Sequence, residues 1–331
     1  MELVCPAGNL PSLRSAVDHG ADAVYIGFGG PTNARNFPGL NFDLAAARRG
    51  ADYCRSAGAR LFVAVNVFPT PARWAEACRA VDQAADIGAD AVILADMGLL
   101  RYAAERHPDL RRHLSVQGSA TNLGALRFYA ERFGIQRAVL PRVLSLAQVR
   151  RLTAAAPVEL EVFGYGSLCI MAEGRCTLSS FVTGESPNKD GVCSPARAVR
   201  WVETPEGRRS ELGGVVVDCF GPGEPAGYPT LCKGRYQVGG RTYHALEEPS
   251  SLNVLPILGE LAAAGVAAVK VEGRQRSPAY VARVAAVLRA ALDACRDAPD
   301  RYVPRPEWVE ALDALSEGRC HTLGAYSRPW Q

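Results

Sequence analysis

Four cysteines lie in an irregular, glycine- and proline-rich part of the chain: Cys169, Cys176, Cys193 and Cys232. Thiolates bind zinc or iron. Tight turns let several of them converge, with exposed backbone N–H groups free to donate to sulfur. Their separations are 7, 17 and 39 positions, and none is the short Cys-x-x-Cys spacing of ferredoxins or zinc fingers. On residue type, four thiolates suit a zinc ion and an iron–sulfur cluster alike. The other six of the ten cysteines read differently. Cys54, Cys78 and Cys295 fall in helical patterns as small buried hydrophobes, and Cys5 closes an apolar run as a core residue. Cys219 ends the run Val-Val-Val-Asp-Cys and Cys320 lies in the C-terminal stretch, and the roles of both stay open.

A second set consists of polar residues that follow short apolar runs: Asn66, Asp96, Gln117, Arg142, Glu272 and Arg274. If those runs are parallel strands of one barrel, their ends converge on one face and form a pocket for a polar, anionic small molecule. Arg142 and Arg274 are then forks for carboxylates. The five histidines are scattered, with no His-Glu-x-x-His and no Ser–His–Asp or Cys–His–Asn order, which disfavours hydrolysis. Arg48-Arg49 and Arg111-Arg112-His113 read as solvated charge clusters.

The elements that must position these residues are marked by a recurring phrase. His19-Gly20-Ala-Asp-Ala-Val-Tyr-Ile-Gly27 and Gly88-Ala-Asp-Ala-Val-Ile-Leu-Ala-Asp96 are nearly identical, and Gly134–Pro141 and Gly265–Glu272 are looser copies. Glycine ends a helix in a left-handed conformation, and the β-branched run after it is a buried parallel strand. Strands are expected at 2–5, 23–27, 60–67, 91–94, 114–116, 138–140, 158–163 and 268–272. Amphipathic helices are expected at 10–19, 44–57, 72–87, 99–106, 123–133, 146–155 and 278–295. Alternating strands and helices of this number predict an α/β fold, a (β/α)8 TIM-barrel-like architecture. No Gly-x-Gly-x-x-Gly follows an early strand, which disfavours a dinucleotide-binding sheet. The alternation breaks at about 164–260, read as a cysteine-containing insertion near the C-terminal end of the barrel, with a short strand at 215–217 and a hairpin within 235–243. The barrel with its insertion occupies 1–298. A tail, 299–331, with a helix at 307–315, is expected to pack on its outside.

The chain has 331 residues, 48% hydrophobic and 21% charged, with a net charge of +3. That balance is too mild to predict nucleic-acid binding. The start Met-Glu-Leu-Val-Cys-Pro-Ala-Gly lacks a secretory pattern, and no apolar run is long enough to span a bilayer, so a cytoplasmic location is expected, where cysteines stay reduced.

Glu161-x-Phe163-x-x-Gly166-Ser167-Leu168-Cys169 with Gly174-x-Cys176-x-Leu178-Ser179 resembles the signature of the collagenase-like peptidase family. Asn188-x-x-Gly191-x-Cys193-Ser-Pro-Ala-Arg197 and Lys270-x-Glu272-Gly273-Arg274 resemble its further motifs. The opening Met1-Glu-Leu-Val-Cys-Pro-Ala-Gly-Asn-Leu-Pro, the run Ala226-Gly-Tyr-Pro-Thr-Leu-Cys-Lys-Gly-Arg235 and the run His244-Ala-Leu-Glu-Glu-Pro-Ser-Ser-Leu-Asn253 are similar to members linked to ubiquinone biosynthesis. Despite the peptidase label, the resemblance implies an oxygen-independent hydroxylation factor that uses prephenate as hydroxyl donor on a ubiquinone precursor. It implies a [4Fe-4S] cluster on Cys169, Cys176, Cys193 and Cys232, a heterodimer with a sister protein, and a lipid-binding accessory protein. An RNA hydroxylation enzyme, a peptidase and a zinc-stapled scaffold are the rival readings.

Overall fold

The computed structural model describes residues 1–37, 39–169, 171, 176–297 and 301–328. Eight parallel strands form the barrel: β1 (Glu2–Pro6), β2 (Ala23–Gly27), β3 (Arg60–Val65), β4 (Ala91–Leu94), β5 (Arg111–Leu114), β6 (Arg137–Val139), β7 (Glu159–Ser167) and β8 (Ala268–Val271). Each pairs with the next, and β8 closes the ring by pairing with both neighbours, Leu3 opposite Val269 and Val162 opposite Val269. The helices α1 (Leu10–Asp18), α2 (Leu44–Ser56), α3 (Trp74–Asp86), α4 (Met97–Arg106), α5 (Leu123–Phe133) and α6 (Leu146–Thr153) follow β1 to β6 in turn. The structure is thus the (β/α)8 barrel read from the strand–helix alternation.

The repeated phrase has a physical role. The Asp22 carboxylate accepts from the backbone N–H of Leu3, and the Asp90 carboxylate from that of Leu61. Gln136, at the matching place in the third copy, accepts from Arg112 N–H. Each residue therefore ties the entry of one strand to the start of its neighbour. Gly20, Gly88 and Gly134 precede them at positive φ, where the chain leaves a helix.

The barrel interior divides in two. Val4, Ala23, Tyr25, Phe62, Ala64, Ala91, Ile93 and Ala268, alternate positions on their strands, form a small apolar cluster apart from the main core between strands and helices. Against this cluster, on the Phe62 and Tyr25 rings, lies a charged layer in which Arg137 and Glu161 are fully buried, with Lys270 and His113 nearly so. Arg137 donates to Glu2 at 2.8 Å, Glu159 at 2.7 Å and Glu161 at 3.2 Å, and Lys270 reaches Glu161 at 2.7 Å.

This corrects the reading of Arg111-Arg112-His113 as a solvated cluster. These residues are β5 itself, three positions earlier than expected. Arg112 is buried under the helices, where its guanidinium donates to the carbonyls of Leu110, Phe133 and Gly134. A basic strand is stable here because each charge meets helix-end carbonyls or acids.

The insertion between β7 and β8 carries α7 (Thr177–Thr183), then an antiparallel sheet of Val199–Thr204, Gly207–Leu212 and Val215–Phe220, and the hairpin Tyr236–Val238 with Arg241–Tyr243. Leu212, Val217 and Leu231 form a minor core with Leu178 and Val182 of α7. The strand Ser251–Asn253 returns antiparallel to β7, and α8 (Leu258–Ala263) leads into β8. After β8, α9 (Pro278–Asp297) packs against α1, and α10 (Pro306–Asp313) packs on α9 through buried Trp308 and Leu312. The expected boundary between barrel and tail, at 298/299, falls outside the described residues. Among the described residues no helix is long and apolar enough to cross a membrane.

Candidate active site at the barrel mouth

The ends of β7 and β8 bring a carboxylate and several cations together in a dry setting. Glu272, just past β8, is 6% exposed. Its carboxylate takes Arg35 Nε at 3.0 Å and the backbone N–H of Ser167 at 3.3 Å. Burial pushes its pKa up, but the nearby Arg35 and Arg142 charges override this and bring it down to about 2. Arg142 donates to the Ser167 carbonyl at 3.2 Å, and its guanidinium lies over the Phe163 ring at 4.0 Å.

Arg274 is 4% exposed and has a different kind of partner. Its Nη1 donates to Asn33 Oδ1 at 2.8 Å and meets Asn41 Oδ1 at 3.5 Å, and its guanidinium stands above the Tyr25 ring. Among the described residues no carboxylate lies within ion-pair distance of it, and burial lowers its pKa to about 10. The approach needs Gly27, since a Cβ there would stand 2.3 Å from Arg274 Nη1. A buried cation held by neutral amides leaves room in the electrostatic balance for an anion.

The other expected pocket residues are placed as follows. Asn66 accepts from Ala34 N–H at 2.9 Å and donates to Ser115 Oγ at 3.0 Å, so its amide ties the loop after β2 to the end of β5. Gln117 is buried with its Oε1 unpartnered, a free acceptor at the mouth. Asp96 caps α4, its carboxylate accepting from Leu99 N–H at 3.0 Å. Arg142, Glu272 and Arg274 gather around β7 and β8, and Asn66 and Gln117 line the β3–β5 side. Arg35 and Asn33 join them without any signal of their own in the sequence, and Ser167 and Lys233 join them from stretches quoted only for their cysteines. Arg35 in particular sits in the loop after β2 at φ 74°, a strained left-handed conformation.

The cysteine-bearing excursion lies over this mouth. Cys169 follows the end of β7, and Cys176 sits at the N-terminus of α7. Residues 170 and 172–175 between them, Gly174 of the quoted motif included, lie outside the described residues. Ser179 Oγ donates to the Cys193 carbonyl, joining α7 to the next cysteine. Ser194 Oγ donates to the Pro229 carbonyl, and Tyr228 Oη to that of Ser194 at 3.1 Å, which joins that stretch to the turn holding Cys232. The loop before Cys193 is docked on the barrel: Arg35 N–H donates to the Gly191 carbonyl at 2.7 Å, and Phe68 N–H to that of Asn188 at 2.8 Å. Gly191 has φ 83°, and a Cβ there would come within 2.4 Å of the Asn33 carbonyl oxygen.

All four thiols are partly buried. Burial, then Cys169, and further Cys193 and Cys176, push the Cys232 thiol up to about 12. Burial also raises Cys193, with Arg35 opposing. Among the described residues no three His, Cys, Asp or Glu side chains already stand as a metal-ligand group. The donor set itself, four partly buried thiols with Arg35 in electrostatic reach of Cys169 and Cys193, has the chemistry of an iron–sulfur or zinc site.

The remaining cysteines separate cleanly. Cys5, Cys54, Cys78 and Cys295 are buried in the main core, and Cys219 and Cys320 are exposed. Among the described residues no histidine ring bonds a serine or cysteine side chain. His107 and His321 pair with Asp82 and Asp313, and His19 and His244 meet backbone carbonyls.

A parallel barrel whose mouth carries buried arginines under a four-cysteine excursion defines the class of the molecule. The family model described as Peptidase family U32 matches residues 8–329, and the chain belongs to that family. It is 31% identical over 340 residues to the tRNA hydroxylation protein P of Escherichia coli, covering 97% of this chain and 72% of that protein. It is 30% identical to the 23S rRNA 5-hydroxycytidine C2501 synthase of the same organism, across 89% of this chain and 39% of the relative. A protein named collagenase from Porphyromonas gingivalis is 29% identical across 88% of this chain and 66% of its own length.

Proposed function

We propose that this protein is a hydroxylase, or a hydroxylase subunit, that works without oxygen in ubiquinone biosynthesis, a UbiU-like member of its family. In this reading a [4Fe-4S] cluster is held by Cys169, Cys176, Cys193 and Cys232, and prephenate is the hydroxyl donor. A UbiV-like sister protein completes a heterodimer, and a lipid-binding accessory protein delivers the quinone precursor. The observation that carries the reading is that the segments bearing Cys176, Cys193 and Cys232 are tied to one another over the barrel mouth. There Arg35 stands within electrostatic reach of Cys169 and Cys193, and the buried Arg274 meets amides and, among the described residues, no carboxylate within ion-pair distance. The names of the relatives support hydroxylation as the reaction class.

The chain's own residues have definable tasks. Arg274 and Arg142 offer guanidinium forks to a carboxylate donor. Glu272, kept ionised by Arg35, accepts hydrogen bonds and repels a second anion, which orients the donor toward the arginines. Gln117 Oε1 accepts from a donor hydroxyl. Phe163 and Tyr25 provide apolar walls and help exclude water. When bound, the cluster supplies electron transfer or polarisation of an oxygen atom.

The test has two parts. Anaerobic reconstitution with iron and sulfide should give a broad band at about 400 nm from thiolate-to-iron charge transfer. Cys169→Ala, Cys176→Ala, Cys193→Ala and Cys232→Ala should each abolish the band, and Cys78→Ala should keep it. In the source organism, deletion should remove ubiquinone only when oxygen is absent. A second reading, RNA hydroxylation, is favoured by the names of the relatives. Unchanged quinones with a lost RNA modification would decide for it.

A further inference from the structure

The turn that carries Cys232, Leu231–Lys233, is fastened on successive carbonyls. Tyr236 Oη donates to Leu231 O at 2.7 Å and Glu247 N–H to Cys232 O at 3.0 Å, and the His244 ring meets Lys233 O at 3.0 Å. These contacts hold the turn to its own hairpin segment. The Lys233 side chain reaches further. Its Nζ donates to Ser167 Oγ at 3.2 Å, on the last residue of β7, and pairs with the Glu317 carboxylate of the tail. Glu317 is itself fixed, by Arg276 at 3.3 Å and by Ser251 Oγ on its backbone N–H at 3.0 Å. Lys233 is 10% exposed and Glu317 25%, dry enough for the pair to be worth more than a surface contact.

We infer that Lys233 and Glu317 are positioning residues that close the cysteine set, holding Cys232 against the strand end that carries Cys169. Ser167 is two residues from Cys169 and Lys233 is adjacent to Cys232, so one ammonium group spans ligating segments 63 positions apart in the chain. The tail then acts on the site from beneath, since Glu317 neutralises the lysine and fixes its direction. The inference rests on the reading of the four cysteines as ligands, and partners behind metal ligands commonly matter about 10- to 100-fold for metal retention.

The test compares the full chain with Lys233→Met, Glu317→Gln and Lys233→Arg. Iron loss to a chelator under anaerobic conditions should be about 10- to 100-fold faster in the first two, and near normal in Lys233→Arg, which keeps the charge and the reach. Thermal unfolding of the metal-free proteins reports whether each variant folds, and Glu317→Gln decides the matter should Lys233→Met fail to fold. In the same metal-free proteins a short thiol-to-thiol cross-linker, mapped by mass spectrometry, should join Cys169 to Cys232 less often in Lys233→Met. Iron loss and cross-linking at the parent rate in both neutral variants would overturn the inference, as would a Lys233→Arg protein as deficient as Lys233→Met. A parent protein that takes up no iron would defeat the cluster reading alone, because the cross-link still reports on the tie.

Discussion

Two layers of the same barrel bury charge in opposite ways. In the lower layer every cation meets a carboxylate: Arg137 has Glu2, Glu159 and Glu161, Lys270 has Glu161, and Arg60 has Glu2. At the mouth, Glu272 is answered by Arg35, but Arg274 is left to amides. A buried network whose charges are all matched keeps itself closed and fixes strand register. One that leaves a buried cation to neutral partners is prepared for a ligand. The lower layer is therefore read as structural and the upper layer as functional, although both bury charge and are built from the same residue types.

The sharpest way to break this comparison is Arg137→Met. It removes the shared partner of Glu2, Glu159 and Glu161, leaving the 1% exposed Glu161 to Lys270 alone, and should cost about 3–5 kcal/mol in denaturant unfolding. A cost under about 1 kcal/mol would mean that the lower network holds nothing. Glu272→Gln comes next. Its carboxyl is depressed from 4.5 to about 2, so its contribution is fully present above pH 4.5 and vanishes as pH falls toward 2. At neutral pH it is worth on the order of 3 kcal/mol, and the variant should lose the acid limb of the stability profile between those values. His113 gives a smaller effect in another window. Burial, with Arg137 and Lys270 adding, keeps its ring neutral. The unfolded chain takes up a proton below about pH 6.5 that the folded one refuses, so stability declines by up to about 1.4 kcal/mol per pH unit below that point. His113→Phe should flatten that slope, and an unchanged slope would assign it to other groups. Arg274→Met should alter stability least, within about 1 kcal/mol, because it removes an unmatched buried charge. It should nevertheless abolish turnover and donor binding. Unfolding as severe as that of Arg137→Met would erase the distinction between the layers.

Much of the fold could be read from the chain because it repeats. The Gly-Ala-Asp-Ala phrase marks two strand entries, and the apolar runs after it are buried on both faces. The readings failed where charge and burial go together. Arg111-Arg112-His113 has the composition of a surface turn, and only the helix-end carbonyls and acids brought by other segments make it a strand. The sheet at 199–212 was equally hidden: Val199-Arg-Trp-Val-Glu-Thr is largely exposed and offers no strict alternation. In the site, Glu272 and Arg274 were visible as polar residues ending a strand. Asp96 has the same appearance, yet it caps a helix, and sequence does not distinguish a strand-end ligand from an N-cap. Arg35 and Lys233 were invisible because their importance comes from partners more than 200 and 60 residues away.

The closure of the ring by β8 sets an order of events during synthesis. Leu3 and Val162 find their shared partner only once residue 269 has been made, whereas all four cysteines precede it. While the chain is growing, the thiols leave the ribosome before the barrel mouth beneath them exists, and two strand edges stand unpaired and open to aggregation. The mouth over which the cysteine segments dock is complete only after translation has passed β8. Conditions that slow ring closure lengthen the time during which the cysteines meet oxygen without their scaffold.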